Sequence, residues 1–399
     1  MTTLDDCFLH DRDRLRHDEA LLLLRELEPL AGTEKVPLAA GLNRVLAADV
    51  AAPFDVPGHT NAAVDGYAFA HGVASPVAVS QRITAGAAGA PLERGTAARI
   101  FTGAPLPDGA DTVAMQEDCT RLNGSVSLPS IRKGANVRMR GEDVRSSETA
   151  LRAGRRLTAA DIATLASFGG EDVPVRTRLR VVIFSTGDEV GRSGIGTVED
   201  VNRPMLTALA ERLPVQITDG GILPDDRATV RRALAGAART HDLVLSTGGA
   251  SRGEEDHIVS VLDEIGRRRA WQIAVKPGRP LTFGRIANSA FLGLPGNPVA
   301  AFVCFVLYAR PTILRLAGAT WREPDRYVVP AGFTLRSKAD RREFLRGRVE
   351  NGRLQKYPRD GSGLISSLRD SSGLIEVPED VTDVAEGDPL SFIPFNALA

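Results

Sequence analysis

The sequence predicts a multidomain protein of α/β and β class. Its expected parts are a three-layer α/β domain with a glycine-loop site, a β-rich inserted domain, a discontinuous helical domain and a C-terminal β-barrel-like domain. Three observations predict this. The chain has 399 residues, a length that favours two to four domains. Between Arg178 and Gly318, apolar runs of strand length alternate with helical periods. On either side, from Pro53 to Asp143 and from Arg326 onward, short β-type runs are separated by Gly- and Pro-rich turns.

Composition narrows the class. Hydrophobic residues make up 43% and charged residues 25%, enough for proper cores with a solvated surface. The formal net charge of −1 provides no global basic field for nucleic acid or an anionic membrane. Cys7, Cys119 and Cys304 lie far apart without metal-ligand spacing, which fits a reducing compartment. The start, Met1-Thr-Thr-Leu-Asp-Asp6, lacks the basic and apolar regions of a signal peptide. The longest near-apolar run, Val299 to Ala309, is too short to cross a bilayer. A cytoplasmic protein without a membrane or nucleic-acid partner is expected.

In chain order, residues 18–30 read as a helix closed by Pro29, with further helical character from Ala39 to Leu46. Residues 51–143 form the β-rich unit, with runs such as Val77–Ser80 and Ala98–Phe101. A helix follows from Leu157 to Phe168, with Thr158 as N-cap, Asp161 as capping carboxylate and Gly169 at its end. Its return onto the N-terminal helices makes residues 1–50 and 144–177 one discontinuous helical domain. Residues 178–325 form the α/β domain, in which Val181–Phe184 is a buried strand and Asn202 caps a helix. The apolar Val299–Ala309 helix is buried on most faces. Residues 326–399 form the C-terminal β domain.

The central stretch is Ser246-Thr-Gly-Gly-Ala-Ser-Arg-Gly-Glu-Glu-Asp256, which reads as strand, glycine loop and helix start. Glycines let backbone N–H groups approach a ligand, and a helix start favours an anion. The carboxylates at its edge make sense if a divalent cation bridges them to that anion. A tight turn with an acidic helix start accounts for the segment equally well. Ligands of α/β sheets sit at the carboxyl ends of strands. Asp188, Glu189, Ser251, Asp256, Lys276 and Arg279 all follow strand candidates, so they are expected on one rim. Carboxylates from Asp188, Glu189, Asp225 and Asp256, facing cations from Lys276 and Arg279, suit Mg²⁺-assisted phosphoryl chemistry.

Motifs along nearly the whole chain resemble those of the molybdopterin molybdenumtransferases, the molybdenum insertases related to the C-terminal domain of gephyrin. They are Asn61–Ala68, Phe101–Pro105, Gly109–Glu117, Gly141–Asp143, Ser185–Glu189, Ser246–Asp256, Lys276–Pro280, Leu294–Pro298, Arg342–Arg346, Gly361-Ser362 and Gly373–Pro378. The resemblance implies a homodimer of four-domain subunits. Its implied reaction is Mg²⁺-dependent insertion of molybdate into adenylylated molybdopterin with release of AMP. The implied site lies between the α/β domain of one subunit and the β-rich domain of the other. By that resemblance Asp65, Thr102, Asp143, Glu189, Asp225 and Asp256 are catalytic, and Asp188, Glu189, Asp225 and Asp256 hold the metal. Ser185, Thr186, Gly187, Gly248, Gly249, Ser251, Gly253, Pro295, Gly296 and Asn297 bind the pterin. Lys276, Arg279, Pro280, Arg342, Arg346 and Ser362 bind molybdate. Implied partners are a molybdopterin adenylyltransferase and molybdoenzyme acceptors.

Two positions depart from the family pattern: Arg252 replaces a small or apolar residue, and Arg279 a common lysine, which is a different kind of donor. Two other readings stand beside this one. A molybdopterin adenylyltransferase would not need the Asp65 and Thr102 segments. A catalytically idle pterin carrier of the same fold would not need every acidic position.

Overall fold

The computed structural model of the chain describes residues 14–191, 196–248 and 257–398. The first helix, His17–Arg25, buries Ala20, Leu21 and Leu24 in the same core as Leu316 and the α/β strands. It therefore packs on the α/β unit. The Ala159–Ser167 helix packs instead with Val36, Leu46, Val173 and Val175. What joins the early and later segments is strand pairing: Thr33–Pro37 runs antiparallel to Asp172–Arg176. The Ala39–Leu46 segment is helical only for the 3-10 turn Leu38–Ala40. Asn43 then adopts φ 63°, and Val45 and Leu46 form bridges to Arg156 and Val175. Thr158 and Asp161 form a reciprocal capping box, and Gly169 follows the helix at φ 69°.

The β-rich unit carries a six-stranded sheet in the order Thr112–Met115, Gly66–Phe69, Thr96–Ile100, Val77–Ile83, Ser125–Ser127, Thr120–Leu122. The α/β unit carries another, in the order Val215–Leu223, Leu179–Thr186, Leu243–Thr247, Ser289–Leu294, Pro280–Ile286, Arg267–Gln272. The first four of these strands are mutually parallel and the last two run antiparallel to their neighbours. The carboxyl ends of Leu179–Thr186, Val215–Leu223, Leu243–Thr247 and Ser289–Leu294 consequently share one rim. Two apolar clusters flank the sheet, as a three-layer arrangement requires.

Val299–Ala309 is the first part of a longer helical run, Pro298–Leu316, with a π-helical turn at Phe305–Ala309. Its 19 residues are long and apolar enough to span a bilayer, yet 89% of its most apolar window is buried within this chain. Its apolar surface is spent on the core, which explains the composition.

The C-terminal sheet is ordered Val275–Lys276, Arg342–Glu350, Gly373–Val377, Pro389–Pro394, Tyr327–Pro330, with Arg353–Lys356 added to Arg342–Glu350. Its first member comes from the α/β unit, so this two-residue strand joins the two units directly.

His17 lies fully buried at that junction, with Nδ1 2.8 Å from the Tyr308 hydroxyl and its ring against Phe344. Burial, with the nearby Arg342 charge, pushes its pKa down to about 3. The folded value lies below the unfolded one, so this contribution is complete above about pH 6.5 and is lost as pH falls toward 3. The slope from this one group is at most about 1.4 kcal/mol per pH unit. His17→Gln keeps a partner for Tyr308 but does not titrate. Urea unfolding between pH 7 and 4 should give a flatter stability profile for this variant than for the parent.

Candidate active site

A cavity of about 1020 Å³ opens at the shared strand rim, between the α/β sheet and the C-terminal unit. Its sheet side is made by Ser185, Thr186, Thr247, Gly248 and the Pro295-Gly296-Asn297 turn. Gly248 sits at φ 86°, and a Cβ there would lie 2.6 Å from Thr186 Oγ1 and 2.8 Å from its carbonyl oxygen. Only glycine makes that turn at that spacing. Gly187 is likewise left-handed, at φ 124°, and the Glu189 carboxylate folds over its Cα. Glu189 lines the cavity.

The helix after this rim starts at Asn202, but Asn202 is not its cap. Its side chain turns inward, donating to Thr247 Oγ1 at 2.8 Å and to the Gly296 carbonyl at 2.6 Å. Asp200 takes over at the helix start, accepting from Arg203 N at 3.2 Å and from Ser185 Oγ at 2.8 Å. Asn202 and Asp200 thus lock three strand-end loops together. Neither was expected at the site, because their partners lie on other strands.

Asp188 and Asp225 form a reciprocal pair: Asp225 N donates to Asp188 Oδ1 at 3.0 Å, and Asp188 N to Asp225 Oδ2 at 3.2 Å. This places two carboxylates together at adjacent strand ends. Asp226 has a separate task, capping the Arg227–Ala237 helix through Thr229 N. Among the described residues no three His, Cys, Asp or Glu side chains form a cation cage. Neither Asp188 nor Asp225 lines the cavity, whose carboxylates among the described residues are Glu189, Glu199, Asp200 and Asp360. A two-carboxylate pair is what magnesium takes where phosphate oxygens and water supply the other ligands. Gly249, Ser251, Arg252, Gly253 and Asp256 lie outside the described residues.

The opposite wall is cationic. Lys276, Arg279, Pro280, Arg341, Arg346 and Ser362 line it, joined by Arg14 from the N-terminal segment. Leu15 bridges to Ile273, which brings Arg14 to the mouth. Arg346 is 6% exposed and donates to Ser367 Oγ and to the Gly361 carbonyl, holding the Gly361-Ser362 turn. Burial lowers its pKa from the ordinary guanidinium range. Arg342 is elsewhere: it is outside the cavity lining and pairs with Glu376, Glu379 and Asp18. Arg346 lies four positions further along the strand, about 13 Å at the usual rise. Neighbouring Arg341 lines the wall instead.

On the β-rich unit, the register Gly66↔Ile100 sets Asp65 beside Thr102. Gly66 is obligatory there, since a Cβ would lie 1.8 Å from the Ala114 carbonyl oxygen. Thr102 donates to Asp65 Oδ1 from both its backbone N and its hydroxyl, at 2.8 Å each. These two bonds hold the partly exposed Asp65 carboxyl below its usual range. Asp143 is exposed beside the Val56–Val144 bridge. None of the three lines the cavity of the same chain.

Comparison with known proteins agrees with this architecture. The family profile described as the MoeA N-terminal region (domain I and II) matches residues 15–169. A probable molybdopterin binding domain matches residues 182–315, and the MoeA C-terminal region (domain IV) matches residues 328–395. A molybdopterin molybdenumtransferase of Haemophilus influenzae is 34% identical over 392 residues, covering 94% of this chain and 97% of the relative. Molybdopterin molybdenumtransferase 2 of Mycobacterium tuberculosis is 32% identical over 92% of this chain and 95% of that protein. The crystal structure of a molybdopterin biosynthesis moeA protein from Pyrococcus horikoshii OT3 superposes with a TM-score of 0.82 at 30% identity. That alignment spans 96% of this chain and all of that one. The chain therefore belongs to the molybdopterin molybdenumtransferases, enzymes of molybdenum cofactor biosynthesis.

Proposed function

We propose that the chain inserts molybdate into adenylylated molybdopterin and releases AMP in a magnesium-dependent reaction. The observation that carries this reading is the two-sided cavity, with glycine turns and the Glu189 carboxylate at the strand rim and a row of cations opposite, from buried Arg346 to exposed Lys276 and Arg279. Backbone donors at Ser185–Gly187, Gly248 and Pro295–Asn297 face the pterin phosphate end, and Gly249, Ser251 and Gly253, which lie outside the described residues, are proposed from their motif to join them. Lys276, Arg279, Arg346 and Ser362, framed by Pro280, face the tetrahedral dianion, which favours fixed charged donors. Asp188 and Asp225, with Glu189 and Asp256, would hold magnesium, whose charge offsets that of the phosphate oxygens when bound.

Two copies of the chain are proposed to pair so that Asp65, Thr102 and Asp143 of one complete the cavity of the other. Their absence from the cavity of their own chain supports this. Thr102 fixes Asp65 Oδ1, and no partner for Oδ2 occurs among the described residues. An ionised, oriented carboxylate is thereby presented outward. The cofactor would pass to molybdoenzyme acceptors, with a molybdopterin adenylyltransferase supplying the substrate. The test is AMP release from adenylylated molybdopterin, measured with and without Mg²⁺ and with and without molybdate. Release that requires both ions is expected. Tight pterin binding without release would favour a carrier.

A further inference from the structure

Between Lys276 and Arg341, two cations of the cavity wall, lies a carboxylate that does not itself line the cavity. Glu343 is 1% exposed. Its Oε2 accepts from Lys276 Nζ at 3.1 Å, and its Oε1 from Arg341 Nη2 at 2.6 Å and Nε at 3.1 Å. Lys276 and Glu343 are also register partners in the parallel pairing of Val275–Lys276 with Arg342–Glu350. Burial works against its charge, but the Arg341 and Lys276 hydrogen bonds outweigh this and hold the carboxyl below its usual range. Both cations remain partly open, with 46% of the Lys276 and 30% of the Arg341 side chain exposed. A buried anion thus fixes the inner side of each cation and leaves the outer side to the cavity.

We propose that Glu343 is a positioning residue that presents Lys276 and Arg341 as a fixed pair of donors to a tetrahedral oxyanion. Flexible cations lose side-chain entropy when they close on a small dianion, and pre-organisation removes part of that cost. The same carboxylate makes the C-terminal unit a working part of the wall, since it draws its cations from both units. Glu343 affects oxyanion binding through these two side chains and does not touch the anion. The identity of the anion as molybdate rests on the proposed function. The presence of the clasp does not.

The experiment has two arms, run on the full-length protein with Glu343→Gln, Glu343→Asp, Lys276→Met and the Glu343→Gln/Lys276→Met double variant. In the first, calorimetric titration with molybdate should show at least about tenfold weaker binding for Glu343→Gln. Glu343→Asp should recover part of that loss. The double variant should lose less than the sum of the two single losses, because part of the Glu343 effect runs through Lys276 and the rest through Arg341. Glu343→Gln binding equal to the parent, or fully additive losses, would overturn the proposal.

The second arm needs no oxyanion. Acetylation of Lys276 by sulfo-N-hydroxysuccinimide acetate, followed by mass spectrometry, should be at least about threefold faster in Glu343→Gln than in the parent, with Glu343→Asp between them. Equal rates in a folded variant would overturn the clasp. Molybdate binding absent from the parent would instead count against the proposed function, while the acetylation rates still decide the role of Glu343. Should Glu343→Gln fail to fold, the Glu343→Asp comparison carries both arms, and parental values in it would overturn the proposal.

Discussion

Asp65→Ala is expected to lower AMP release by about a hundredfold or more while leaving the fold intact, the scale of losing one oriented group in the reaction. Asp65 is partly exposed and, among the described residues, its carboxylate hydrogen-bonds only to Thr102, so its removal opens no cavity in a core. Thr102→Ala removes one of the two donors that fix Oδ1 and leaves the backbone one, so a smaller loss is expected. Single-turnover rates at saturating molybdate, with thermal unfolding as the control, check both. If two copies share the site, mixing Asp65→Ala with Lys276→Ala protein, after dissociation and reassociation, should restore activity in mixed dimers. Each of those dimers has one site with both residues intact.

Arg342→Ala is expected to cost about 3 kcal/mol of stability, because it strips Glu379 of its arginine and leaves buried Glu376 with Arg326 alone. The Arg342 side chain is 15% exposed and those of Glu376 and Glu379 are 7% and 19% exposed. Its bond to Asp18 also ties the first helix to the C-terminal sheet. Hydrogen bonding to these carboxylates raises its pKa despite the opposing effect of burial. Denaturant unfolding should show the midpoint falling, while molybdate binding by the folded fraction stays near the parent. Arg346→Ala should do the reverse in binding, since Arg346 lines the cavity and holds the Gly361-Ser362 turn. The pair of variants separates a structural arginine from a wall arginine.

The alternation of strand and helix periods from Val181 onward was legible because each element is local. Val181–Phe184 lies within a strand whose inner residues are buried, and the Thr158 capping box is a contact within one helical turn. The first helix was legible as a helix but not in its destination, since its apolar face fits more than one core. Asn202 misled because a polar residue before a helix satisfies the cap pattern. Only the fold brings Thr247 and Gly296 within its reach. Arg342 and Arg346 belong to one short motif, yet the length of the strand between them sends one to a salt-bridge network and the other to the cavity. Glu343 has a local partner in Arg341, but its role was not legible because its lysine partner is 67 residues away and on another unit. Pairing across units is where reading along the chain ends.

The measurement that tests the central claim most directly is the molybdenum content of the pterin product against the AMP released, in a single turnover with adenylylated molybdopterin, molybdate and Mg²⁺. The account predicts equal amounts of dithiolene-bound molybdenum and AMP, both absent when molybdate or Mg²⁺ is withheld. AMP released without molybdenum in the product, or pterin bound tightly with neither, would contradict it.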